Sequence, residues 1–165
     1  MILLNISGVK ECMAKLLLSE TFDPFEFIEG EITSFATFRF DGYLKKDFFD
    51  SDELKTIGNR EHALWKDMRE FCFSLIKGKK TPLGFKFVFG LSRSNIEKLL
   101  TQQSLNFTSS DVDGLYINLK YDGHRLQCVT GTSLRTFTLD KSLEQTWDMM
   151  VQKFFAQKEI MFEVE

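Results

Sequence analysis

The sequence predicts an α+β protein: a predominantly antiparallel sheet with two long amphipathic helices on one face, built as an internal β-α-meander-α pseudo-repeat within a single domain. Three observations predict it. Stretches of alternating apolar and polar residues recur along the chain, two of them running into Asp-Gly pairs suited to hairpin turns. Two other stretches carry apolar residues at helical spacing. The nonapeptide Thr33-Ser34-Phe35-Ala36-Thr37-Phe38-Arg39-Phe40-Asp41 also returns as Thr132-Ser133-Leu134-Arg135-Thr136-Phe137-Thr138-Leu139-Asp140, with Thr, Ser, Thr, Phe and Asp in register. Such an echo suggests two related halves, here about 1–82 and 83–165.

In chain order, Ile2, Leu4 and Ile6 alternate as a short strand. Ser7 then caps a helix whose Val9, Met13, Leu16 and Leu17 form one stripe. Strand-like residues run from Phe25 to Phe40, Asp41-Gly42 supplies a hairpin turn, and Tyr43 to Phe49 returns. Asp50 to Asn59 is polar and reads as a mobile loop. A helix is expected from about Arg60, with Leu64, Met68, Phe71, Cys72, Leu75 and Ile76 on its buried face and Gly78 at its end.

Phe85, Phe87, Phe89 and Leu91 open the second half as a strand, followed by a short helix carrying Ile96, Leu99 and Leu100. Leu115 to Tyr121 alternates into the turn Asp122-Gly123, with strands expected near Arg125–Thr130 and Leu134–Leu139. From Asp140 a long helix places Leu143, Trp147, Met150, Val151, Phe154 and Phe155 on one side, and Ile160 to Val164 closes the chain as a strand. Turns and helices imply one repeat register and the two nonapeptides another. The turn and helix register aligns more elements, which leaves the nonapeptides as two similar strands.

The 165 residues, 43% hydrophobic and 27% charged, suffice for a buried core and exclude a disordered chain. Eighteen phenylalanines point to an aromatic interior. A net charge of −3 argues against a wholesale nucleic-acid binder. Cys12, Cys72 and Cys128 lie far apart among apolar neighbours and read as reduced core residues. With no signal-like or membrane-spanning run, the expected setting is cytoplasmic.

Chemistry is sparse. His62 and His124 are the only histidines and both read as solvated, so neither a triad nor a metal site has material, and no metal or cofactor is expected. Lys77-Gly78-Lys79-Lys80-Thr81 ends a helix, the reverse of a phosphate loop. Strand alternation, by contrast, turns Thr37, Arg39, Lys86, Lys120, Arg125 and Arg135 away from the core, with Tyr116 available for stacking. The leading expectation is a non-enzymatic binding module with an open, locally basic, Thr-rich sheet face for an anionic ligand, nucleic acid or protein. One alternative is an enzyme whose same basic residues clamp a phosphate or carboxylate, with Asp111 or Asp113 as base. Another is a structural protein that dimerises through the edge strand Ile160 to Val164.

Three blocks carry a resemblance: Glu29 to Phe35 with Asp41-Gly42, Trp65 through Cys72–Lys79 to Pro82, and Thr130–Leu134 through Phe137–Leu143 to Trp147-Asp148. Together they resemble an uncharacterised bacterial family of unknown function, which implies no activity or site residue. The order of elements is also similar in outline to the halves of TATA-box-binding proteins and to sliding-clamp domains, which leave one sheet face for a partner. That likeness concerns fold alone.

Overall fold

The computed structural model describes residues 1–165 and contains five α-helices and an eight-stranded, wholly antiparallel sheet. The strands are β1 (Leu3–Ile6), β2 (Glu26–Thr33), β3 (Thr37–Asp41), β4 (Ala63–Leu64), β5 (Gly84–Gly90), β6 (Val112–Tyr121), β7 (Leu126–Leu134) and β8 (Phe162–Val164). The helices are α1 (Val9–Leu18), α2 (Ser51–Ile57), α3 (Trp65–Ile76), α4 (Arg93–Gln102) and α5 (Ser142–Gln157). Across the sheet the order is β3-β2-β5-β6-β7-β1-β8, with β4 joining β2. β1 therefore lies between two strands of the C-terminal half, and β3 and β8 form the edges.

One face of the sheet presents Phe27 and Ile32 from β2, the Phe85, Phe87 and Phe89 row of β5, and Leu115, Ile117 and Leu119 of β6. Cys12 and Leu16 of α1, Trp65 and Cys72 of α3, and Trp147, Val151 and Phe155 of α5 join these residues in a single buried cluster. The phenylalanines pack mostly edge-on or tilted, with Phe85 stacked on Phe87 at 4.9 Å. Each buried indole finds an acceptor: Trp65 Nε1 donates to the Leu16 carbonyl at 2.8 Å and Trp147 Nε1 to that of Tyr116 at 3.0 Å. No helix is long and apolar enough to cross a membrane.

Several sequence expectations change. The hairpin turns at Ser34–Ala36, not at Asp41-Gly42, and Thr37–Asp41 is the returning strand. Gly42 serves close approach instead, since a Cβ there would lie 1.9 Å from the Phe27 carbonyl oxygen. Tyr43 to Phe49 forms no strand beyond a single bridge from Tyr43 to His62. The polar stretch after Asp50 is α2, opened by a capping box in which Asp50 and Glu53 bond each other's backbone N–H groups. α3 begins at Trp65, after the short β4, and Phe71 is 64% exposed rather than on the buried face. The two strands expected over 125–139 are one continuous β7 ending at Leu134, so only Thr132–Leu134 of the second nonapeptide is strand and the rest is loop.

Candidate functional site

The face turned away from the helices carries most of the outward residues read from the sequence. Residue pairing defines one row across seven strands: Arg39, Glu31, Lys86, Lys120, Gln127, Asn5 and Glu163. Thr37 lies on the same face one row away. The basic residues are thus aligned but not unopposed. Arg39 pairs with Glu31 at 3.2 Å, and Asp41 and Glu29 occupy the adjoining row. Arg125 sits in the β6–β7 turn and Arg135 just beyond β7, at opposite ends of that strand.

At the end of this face, two irregularities frame a cleft. Ile28 is an extra residue in β2 against β5, and Asp113 an extra residue in β6 against β7. Bulges of this kind re-aim side chains and gather beside functional sites. Between them runs the row Glu26, Gly90, Tyr116 and Gly131. Glycines on both flanking strands leave the floor without side chains, so the Tyr116 ring leans along its own strand over Gly114. A Cβ at Gly114 would meet its Oη at 2.2 Å. The cleft encloses about 580 Å³, a size suited to a small molecule.

Its walls come from three connections. Gly58, at φ +61°, closes α2 and turns the chain into Asn59–His62. That segment is held by Lys46 Nζ donating to the Arg60 carbonyl at 2.7 Å and Leu44 N–H donating to that of Glu61 at 2.8 Å. Opposite lie Ser92, Arg93 and Ser94 at the start of α4, where the first backbone N–H groups have no acceptor within the helix. Arg135 completes the rim.

The charges in the cleft differ in how far they are already engaged. Arg93 spends its guanidinium on the carbonyls of Ser109, Val112 and Asp113 at 2.7 to 3.1 Å, which fixes the start of β6. Arg135 donates to the Asp113 carboxylate at 3.0 Å. Arg60 and Glu26, in contrast, enter no ion pair, and the buried Nη1 of Arg60 has no hydrogen-bond partner in the protein. Burial raises the Glu26 carboxyl above its ordinary pKa, against the opposing pull of Arg60 and Arg93. Burial likewise raises the Tyr116 phenol, with the Asp113 charge adding to it. A half-buried carboxylate and a guanidinium with a buried, orphaned donor thus line one cavity.

Other reactive side chains lie elsewhere. The thiols of Cys12 and Cys72 are pushed up to about 12 by burial, which makes them poor nucleophiles. No cluster of three or more His, Cys, Asp or Glu side chains could hold a metal ion. Asp111 binds Thr108 and Asp113 binds Arg135, so both acids proposed as a base are engaged.

Sequence reading reaches Asp113, Tyr116 and Arg135 and misses Glu26, Arg60 and Arg93. His62, expected on an exposed helix face, precedes α3 and half-buries itself in the cleft wall. Glu26 did leave a trace, a lone carboxylate between Phe25 and Phe27. Arg60 left none, because its place depends on how the connection from α2 folds back.

The model of a family of unknown function, DUF5721, matches residues 15–163. The chain belongs to this family. No curated protein and no solved structure matches the chain. The matched span contains both bulges and every residue of the cleft.

Proposed function

We propose that this chain is a binding module for a small polar anion, taken up in the cleft between the two sheet bulges rather than spread over the sheet. Arg60 carries the reading: its guanidinium lines the cleft outside any ion pair, and one of its donors is buried without a partner. The opening of α4 adds unpaired N–H groups and a favourable dipole end on the facing wall. Glu26 and Tyr116 supply an acceptor and a phenol for the ligand's own donors. A carboxylate or phosphate group bearing a neighbouring hydroxyl or amine fits this arrangement. Titration calorimetry with inorganic phosphate and with succinate tests it. The intact chain should bind at least one, and Arg60→Gln should weaken that binding about tenfold or more, the scale of one charge-assisted bond. Undetectable binding of both anions, or equal affinity in the variant, would overturn the reading.

Glu26 favours a second reading in which the held molecule is a substrate. A carboxyl with a raised pKa and no fixed partner is suited to exchange a proton with a group anchored by Arg60. It would take over the role that sequence alone offers to Asp111 or Asp113. The sheet face around Arg39, Lys86 and Lys120 is a weaker candidate for an anionic partner, because Glu29, Glu31 and Asp41 interleave with it. A cytoplasmic setting belongs to the proposal, supported by three buried cysteines without a disulfide.

A further inference from the structure

A second cavity lies across the sheet, on the helix side, lined by residues of α4 and α5. It holds about 340 Å³, and eight of its eleven lining residues are apolar. Phe25, Ile117, Trp147 and Val151 form a buried base, and Met150 and Phe154 of α5 form a half-buried wall. The base is rigid. Trp147 is tied through its indole to the Tyr116 carbonyl, and Phe25 meets Phe154 edge-on at 5.3 Å.

The polar groups are all on one side. Asn95, Lys98 and Gln102 come from successive turns of α4 and line the mouth, and Lys98 is the only charged residue in the lining. It enters no ion pair. An apolar chamber with one free ammonium and two amides along its rim is complementary to a molecule with a hydrocarbon body and an anionic head.

We propose that this chamber binds a medium-chain acyl carboxylate, with the chain between α4 and α5 and the carboxylate at Lys98. The site is independent of the Arg60 cleft. Leu91 lines both, but the cleft's charged residues are absent from the chamber. Occupancy fills the space against Met150 and Trp147 while leaving the open sheet face unchanged.

Methyl-labelled methionine makes the test site-specific, because Met150 lines the chamber and the other five methionines do not. Titrating the full chain with octanoate should move the Met150 methyl resonance, assigned with Met150→Leu, and leave those of Met13 and Met68 in place. Octanol, with the same chain and no charge, should bind more weakly. Lys98→Ala should weaken octanoate about threefold or more, the scale of one exposed charge contact, without changing octanol. Asn95→Phe, which places a ring across the mouth from a half-exposed position, should abolish the shift while the thermal transition is retained. A Met150 resonance unmoved at saturating octanoate overturns the proposal. So does octanol binding as tightly as octanoate, because the Lys98 assignment then fails.

Discussion

Glu26 offers the clearest residue-scale consequence. Its folded pKa lies above the ordinary 4.5, so its contribution to stability is complete below pH 4.5 and is lost as pH rises through the folded value. At neutral pH the ionised carboxylate opposes folding, and Glu26→Gln should raise the melting temperature at pH 7 to 8. The gain should shrink toward zero as pH falls below 4.5. Thermal melts across that range check it, and a gain of equal size at every pH would contradict the assignment to ionisation. Tyr116 is tested through its neighbour. Gly114→Ala places a Cβ 2.2 Å from Oη, so the ring must leave its position, at a cost of about 1–3 kcal/mol. Denaturant unfolding measures the loss, and near-ultraviolet circular dichroism should report the displaced ring. On the open face, Lys86 and Lys120 stand directly opposite each other. Lys120→Glu should stabilise the fold by about 0.2–1 kcal/mol in low salt, an effect that added salt reduces.

Elements differ in how much of themselves the sequence reveals. β5, β6 and α5 are legible because a buried face imposes a period: Phe85, Phe87 and Phe89 alternate, and Leu143, Trp147, Val151 and Phe155 recur at helical spacing. α2 buries no residue, so it has no apolar stripe to detect, and its only trace is the Asp50 to Glu53 spacing of its cap. Asp50→Ala should therefore fray α2 selectively, which amide exchange over residues 51–57 would register. The Asp41-Gly42 pair misleads for a comparable reason. The dipeptide fits a hairpin turn, but the tertiary packing of Gly42 onto the Phe27 backbone decides its use. The bulges at Ile28 and Asp113 are invisible to alternation, which counts residues without knowing which partner strand skips one.

Across the whole molecule, the antiparallel sheet with helices on one face follows from periodicity and turn chemistry, whereas the cleft requires strand order. Glu26, Arg60 and Tyr116 come from β2, the connection after α2, and β6, and only the placement of β5 between β2 and β6 brings them around Gly90. The outward basic residues were legible one by one, but their Glu29, Glu31 and Asp41 neighbours were not, because cross-strand register sets who faces whom. Register thus shifts the functional weight from a broad face to one end of it. Backbone amide chemical-shift mapping during titration with inorganic phosphate and with succinate tests that shift most directly. At least one anion should produce perturbations concentrated at Arg60, His62, Arg93, Ser94 and Tyr116. Perturbations centred on Lys86 and Lys120 with a silent cleft, or none with either anion, would contradict it.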